Sequence, residues 1–392
     1  MKVAKILLVQ PRYNYDRPFL EAPSMALLIL GTLAENEGHE VKLLHLDIDK
    51  VNIAEEIRGF APDILGITVN TFQVKSAKRI IELTRRTSPG IKIVVGGPHA
   101  AFEKWAADLV VIGEGENTWL EFLGAERRIA SIDDVPMLHY DLVDVNRFRG
   151  HPPHWITPAM VVMTSRGCSF QCTFCNTPVF WGKKVRYRSP ELVVDEIERL
   201  YFEYGIVEVT FQDDTFNLNH AWAEEIFERL IFRGLNEKMV FRITSRVNKK
   251  LVTKEFLSLA RRAGVHQIFY GVESGSQYML DRMKKGITVA EVKRAVQMTK
   301  EAGIEVYCSF VVGLPGETVQ TLIETKDLID EIRPDSYNWA FACPFPDTEF
   351  EREVTAKGQK LDVPFEEYGY GNLLTWTDGL PLEHLIMFDG FV

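Results

Sequence analysis

Along this chain, short continuous apolar runs alternate with segments whose apolar residues recur at helical spacing, and the alternation occurs twice. The first series of runs reads KILLVQP, EVKLLHLD, DILGITV, KIVVGGP and ADLVVIGE, with SMALLILGTLAENEG, NIAEEIRGF and VKSAKRIIELTRR between them. A strand apolar at every position is covered on both faces, the condition of a parallel sheet flanked by helices. Residues 1 to about 124 are therefore expected to form a five-stranded, doubly wound, Rossmann-like α/β domain. The second series reads AMVVMTSRG, VEVTFQDD, VFRITSRV, QIFYGVES, EVYCSFVVGLPG and SYNWAFACPFP, separated by helices such as PELVVDEIERLYFEYG and VAEVKRAVQMTKEAG. These six runs predict a partial (β/α)6 barrel over residues 159–350 rather than a closed eight-stranded one. Residues 125–158 hold prolines and no sustained period, so a linker or wrapping segment is expected there. Residues 351–392 are expected to form a C-terminal extension that covers the barrel mouth or packs on a neighbour.

Composition narrows the class without changing the fold. A net charge of -10 argues against a nucleic-acid partner, which needs a basic footprint. The pairs Lys183-Lys184, Lys249-Lys250 and Lys284-Lys285 read as solvated surface. No apolar run reaches the length of a membrane span and no basic-then-apolar leader opens the chain, so a cytoplasmic protein is expected. Five cysteines, three of them clustered, do not form a disulfide framework in a chain this long. Reduced thiols binding a metal fit better, and Cys308 and Cys343, on predicted strands, read as core residues.

The carboxyl ends of the second series are crowded with polar groups. Cys168, Cys172 and Cys175 follow the first strand, Asp213-Asp214 the second, Thr244-Ser245-Arg246 the third and Glu273-Ser274 the fourth. Singly these read as caps, turns or surface ion pairs. Four on one rim of a barrel read as an active site. Three thiolates on an irregular loop leave two readings. A zinc ion would take His151 or His154 as fourth ligand, but zinc sites usually pair their ligands in two separated knuckles. An iron–sulfur cluster with four irons and three protein thiolates keeps one iron open to a small molecule, and this reading is favoured.

The Cys-x3-Cys-x2-Cys spacing, with Phe174 before the third cysteine, resembles the signature of radical S-adenosylmethionine (SAM) enzymes, and the strand ends downstream match as well. The resemblance implies that Cys168, Cys172 and Cys175 ligate a [4Fe–4S] cluster whose unique iron chelates SAM. An electron from the cluster, supplied by a low-potential donor, would cleave SAM to a 5′-deoxyadenosyl radical. Phe174 would lie near the adenine, Asp213 or Asp214 would contact the methionine amino group, Arg246 would hold the carboxylate, and Ser245 would be a further SAM contact. Glu273 and the turn VVGLPGE would line the ribose and adenine side. The Gly-Gly-Glu often seen in the family is absent, which leaves the choice between the two aspartates open.

The first domain resembles the cobalamin-binding domain of cobalamin-dependent radical SAM methyltransferases, because two of its strand ends, VVGGPHAA and VVIGEGE, are glycine-rich. The contacts this implies are Gly96, Gly97, Pro98, His99, Gly113, Glu114, Gly115 and Glu116, with Asn70, Thr71 and Phe72 on the lower face of the corrin. VQPRYNYDRPFLEAPS stands where a cobalt-ligating Asp-x-His-x-x-Gly would be, so no histidine ligand to cobalt is expected, and His39, His45 and His99 are expected in structural or tail-contacting roles. The function implied is methyl transfer to an unactivated carbon. The compact layout, without a domain for an auxiliary cluster or a leader peptide, resembles members that act on a residue in a peptide or protein, such as the glutamine C-methyltransferases of methyl-coenzyme M reductase; a small-molecule substrate is the alternative. A cobalamin-dependent cyclase or rearrangement enzyme would share every motif. A methylthiotransferase would need a second cluster, and residues 1–167 contain no cysteine. A non-enzymatic cobalamin- or metal-binding regulator would leave the polar rim without a purpose.

Overall fold

A computed structural model describes residues 3–14, 22–150, 154, 156–369 and 372–380. The first sheet contains β1 (Lys5–Gln10), β2 (Glu40–His45), β3 (Ile64–Thr68), β4 (Lys92–Gly96) and β5 (Leu109–Val110), all parallel in the order β2-β1-β3-β4-β5. Around it lie α1 (Met25–Asn36), α2 (Ile53–Phe60), α3 (Val74–Thr87) and α4 (Glu116–Leu123). The continuous apolar strands have the predicted cause. Ile6 and Leu8 of β1 enter one core cluster, whereas Leu7 and Val9 enter a second on the opposite face. Short β5 ends where Gly113 turns at φ +79°, leaving Ile112 exposed.

The second sheet has six parallel strands, β6 (Ala159–Val162), β9 (Glu208–Phe211), β10 (Val240–Ser245), β11 (Val265–Glu273), β12 (Glu305–Val312) and β13 (Ser336–Phe341), each beside its chain neighbour, as a partial barrel requires. Its helices include α6 (Pro190–Tyr204), α7 (His220–Phe232), α8 (Lys254–Arg262), α9 (Gln277–Arg282), α10 (Val289–Glu301) and α11 (Val319–Ile332). Capping boxes at Thr288 and Thr318 start α10 and α11. A feature with no counterpart in the apolar pattern is a small antiparallel hairpin, β7 (Ser165–Arg166) with β8 (Arg186–Tyr187), which brackets the cysteine loop and the short α5 (Thr177–Trp181).

The segment from 125 to 150 wraps. It holds three single-turn helices and buries Leu138, Tyr140, Val145 and Phe148 in the cluster that also contains Ile6 and Leu8 of the first sheet and Met160 and Val161 of the second. Beyond α12 (Glu349–Ala356) the chain crosses back to the first sheet instead of capping the barrel alone. Asn14 Nδ2 donates to the carbonyls of Glu366 and Tyr368, Lys78 pairs with Glu366 at 2.5 Å, and Phe365 meets the His99 ring at 4.5 Å. Among the described residues no helix is long and apolar enough to cross a membrane. Lys285 corrects the solvated reading of the lysine pairs: it is 5% exposed, because Glu273 receives its ammonium inside the barrel rim, while Lys183, Lys184, Lys249, Lys250 and Lys284 are exposed.

Candidate active site between two sheets

Both parallel sheets aim their carboxyl ends at a common space. From the first sheet come Gln10, Thr68, Asn70 and Pro98; from the second come Gln212, Asp213, Asp214, Arg242 and Thr244. They border a cleft open to solvent, about 1670 Å³ of empty space with its mouth included, which shares Ala26, Thr68, Pro98, Met163 and Trp181 with a second, more apolar cleft of about 1030 Å³ on the same measure that reaches down between α1 and α4. Strand carboxyl ends are where open parallel sheets bind ligands. Here two such edges face each other.

Gly167, at φ +100°, opens the cysteine loop; a Cβ there would stand 2.7 Å from the Lys184 carbonyl, so the loop lies tight against the chain leading into β8. Cys168, Cys172 and Cys175 are half-buried free thiols, and the Cys175 N–H donates to the Cys172 carbonyl at 3.2 Å. Burial pushes the Cys168 and Cys175 thiols up, so the thiolate forms there need a metal to hold them. One metal ion needs its sulfur donors at about 2.3 Å. Among the described residues no three His, Cys, Asp or Glu groups are gathered in that way. His154 is engaged elsewhere, its Nε2 2.6 Å from Glu305 Oε1 at the amino end of the barrel strands, and His151 lies outside the described residues.

Arg246, 5% exposed, leaves β10 and lays its guanidinium 3.7 Å from the centre of the Phe170 ring. Its Nη1 lies 3.5 Å from Cys172 Sγ and its Nη2 donates to the Lys285 carbonyl. A cation thus stands directly beside the cysteine loop. The two aspartates separate. Asp213 is buried and accepts the hydroxyls of Thr164 at 2.6 Å and Ser165 at 2.5 Å; desolvation pushes its carboxyl up to about 6. Asp214 is exposed toward the cavity, accepts Thr177 Oγ1 at 2.8 Å and is held by the Gly167 N–H, so it belongs to the cysteine loop. Glu273 takes φ +71° and receives Lys285 Nζ at 2.6 Å, both side chains buried. Phe174 is half-buried against the core beside the third cysteine. Ser245 is directed away from the cavity, its hydroxyl donated to Asn217 Oδ1 at 2.8 Å.

The first-domain residues divide in the same way. Gly96, Gly97, Pro98, Gly113, Glu114, Gly115 and Glu116 line the apolar cavity, whose floor also has Gly66; a Cβ at Gly66 would stand 2.6 Å from Leu8 Cδ2. A floor bare of side chains at Gly66 and Gly96, leading into a slot beside Leu30 and Trp119, fits a large flat ligand with an extended tail. Asn70 borders the larger cavity but spends its carbonyl on the Phe72 N–H at 3.0 Å. Thr71 and His99 turn away from both cavities and bond each other at 3.1 Å, with Phe365 over the imidazole; burial lowers the His99 pKa to about 4. Phe72 packs toward Phe345 at 5.7 Å. His39 accepts the Ala4 N–H and His45 the Ser24 N–H, both structural roles. Among the described residues no histidine lines either cavity.

Gly97 gives a direct test of this cradle. It sits at φ +99°, and a Cβ would meet Val69 N at 2.7 Å and Val69 O at 2.8 Å, backbone atoms that cannot step aside cheaply. Gly97→Ala is expected to cost about 1–2 kcal/mol for the left-handed backbone alone and to displace the loop. A lower cobalamin content per chain, read from the corrinoid absorbance of purified protein, is the expected outcome.

Several residues at the cavity gave no sequence signal by themselves. Phe180 and Trp181 close it from α5, where the VFW run after the cysteines was the available sign. Arg242, placed in a strand run, faces the larger cavity. Arg166 and Arg186, on the hairpin, engage Glu114 and Glu116, so these two carboxylates are partnered by protein cations at the cavity edge.

The sequence matches the Radical SAM superfamily over residues 162–329 and the B12 binding domain over residues 17–123. It is 31% identical to an uncharacterized methyltransferase of Pyrococcus horikoshii, an alignment covering 94% of this chain and 87% of the relative. It is also 31% identical to the anaerobic magnesium-protoporphyrin IX monomethyl ester cyclase of Rubrivivax gelatinosus, over 97% of this chain and 75% of that one. Among solved structures, the fold is shared with the radical SAM methyltransferase TsrM from Kitasatospora setae, determined with tryptophan substrate and a SAM analogue: TM-score 0.77, 22% identity, 97% of this chain and 87% of that chain. The chain belongs to the family of cobalamin-dependent radical SAM methyltransferases and related enzymes, whose cofactors are a [4Fe–4S] cluster, SAM and cobalamin.

Proposed function

We propose that this enzyme transfers a methyl group from cobalamin to an unactivated carbon of its substrate, with a residue in a peptide or protein as the favoured class. The observation that carries the reading is the meeting of the two strand edges across two adjoining cavities that share Ala26, Thr68, Pro98, Met163 and Trp181, the apolar one bordered by the glycine turns and the larger one by Asp213 and Asp214. When bound, these cofactors supply the methyl group and a hydrogen-abstracting 5′-deoxyadenosyl radical. The protein's work is binding and orientation. Cys168, Cys172 and Cys175 would hold the cluster. Arg246, beside Cys172, would receive the methionine carboxylate by a charge-assisted pair. Asp214 is the better placed of the two aspartates for the amino group, because it faces the cavity from the cysteine loop while Asp213 is occupied by two hydroxyls. Glu273 would bind the ribose, its carboxylate fixed by Lys285. Gly96, Gly97, Pro98, Gly113 and Gly115 would cradle cobalamin, with no histidine among the described residues offered to cobalt.

The larger cavity supports a peptide-like substrate. Gln10, Gln212, Thr210 and Thr244 line it with amides and hydroxyls, groups that pair with a peptide backbone. A second reading, a cyclase or rearrangement on a small molecule, is favoured by the similarity to the Rubrivivax cyclase. Product analysis separates the two. The methyl-transfer reading expects both 5′-deoxyadenosine and S-adenosylhomocysteine from the anaerobically reconstituted enzyme, and a substrate one methylene heavier. 5′-Deoxyadenosine without S-adenosylhomocysteine removes the methyl-transfer reading and leaves the second.

A further inference from the structure

Four charged side chains join the two domains at the cavity edge. Arg166 lies two residues before Cys168, with its side chain only 4% exposed. Its Nη1 donates to Glu114 Oε2 at 2.7 Å and its Nη2 forms an ion pair with Glu116 Oε1 at 2.6 Å, so one guanidinium spans a carboxylate of the glycine-rich turn and the carboxylate that opens α4. Its Cζ lies 5.3 Å over the ring centre of Trp181, the last residue of α5 and six positions after the third cysteine. Arg186, opposite Arg166 in the hairpin, pairs with the other oxygen of Glu114.

This arrangement is not a surface ion pair that happened to form. Two arginines directly opposite each other in an antiparallel pair repel. The hairpin brackets the cysteine loop, so its closure depends on Glu114 reaching it from the other domain. Glu116 is 9% exposed in its side chain and would be left as a buried charge without Arg166. Planarity matters as well: a guanidinium can fork between two acceptors while stacking on an indole, whereas an ammonium presents one compact charge.

We propose that Arg166 is a positioning residue that locks the cobalamin loop at Gly113–Glu116 to the cysteine loop, and so fixes the distance and orientation between cobalt and cluster. The inference rests on the proposed cofactor sites but adds a requirement of its own. Either site could fill while the two stood out of register.

The test is the spin–spin interaction between the cobalt(II) centre and the reduced cluster, measured by electron paramagnetic resonance on the full chain reconstituted with iron, sulfide and cobalamin. Iron and cobalamin content of the wild-type protein report on the proposed sites themselves, and failure there counts against those sites. Arg166→Lys and Arg166→Gln are expected to keep both cofactors but to give a weakened and broadened interaction relative to wild type. Glu116→Gln keeps the arginine and its contact with Glu114, so it tests the same lock should the Arg166 variants not fold; a smaller change in the same direction is expected. An interaction unchanged from wild type in a folded Arg166→Gln protein, or in Glu116→Gln, overturns the proposal.

Discussion

Cys172→Ala is expected to reduce 5′-deoxyadenosine formation to background and to leave the reconstituted protein without an EPR-active cluster. Three thiolates already leave one iron without a protein ligand, and two would leave half of the four irons without one. The loop should survive the change. Its shape is set by Gly167 against Lys184, by the Asp214 carboxylate held by Thr177 and the Gly167 N–H, and by Arg246 stacked on Phe170. An alanine variant that folds, retains cobalamin and lacks iron is therefore the expected product, checked by iron analysis beside corrinoid absorbance. A non-catalytic cobalamin-binding protein would be indifferent to the same substitution.

Lys285→Met is expected to have the second largest effect, on stability and SAM binding together. The Lys285–Glu273 pair lies over Gly271, where a Cβ would come within 2.6 Å of Glu273 Oε1 and 2.9 Å of Lys285 Nζ. Both side chains are below 10% exposure, so removing the ammonium strands a buried carboxylate at a cost of about 3–5 kcal/mol. The same backbone turn supplies the carbonyl that fixes Arg246, so a shift of Lys285 reaches two proposed SAM contacts. Denaturant unfolding and SAM affinity measure the two consequences. In the double variant Glu273→Gln with Lys285→Met, the charge problem is gone and much of the stability should return. SAM affinity should stay low, which separates a ligand site from a purely structural ion pair.

Lys285 also shows how far the sequence can be read. Lys284-Lys285 looks like any exposed lysine pair, and Lys284 is exposed; nothing in the local pattern tells that Glu273, twelve positions back, lies within reach of its neighbour. The long parallel strands were legible because a strand covered on both faces must be apolar at each step, as Ile6 to Val9 are. The hairpin of β7 and β8 was not. It is two residues long on each side, rich in arginine, and closed by partners fifty or more positions away at Glu114. The polar rim was visible because cysteine, aspartate, arginine and glutamate at successive strand ends have no common structural reason to occur there. Which of them face the cavity was not visible: Ser245 turns to Asn217, and His99 turns to Thr71 beneath Phe365, a residue 266 positions later in the chain.

Whether this chain brings a cobalamin site and a SAM site together for methyl transfer can be measured without a known substrate. The anaerobically reconstituted, chemically reduced protein is supplied with SAM carrying a labelled methyl group, and the corrinoid and nucleoside fractions are separated. Label recovered on the corrinoid, with a matching amount of S-adenosylhomocysteine, is the result predicted. 5′-Deoxyadenosine with all of the label left in SAM and methionine would contradict it.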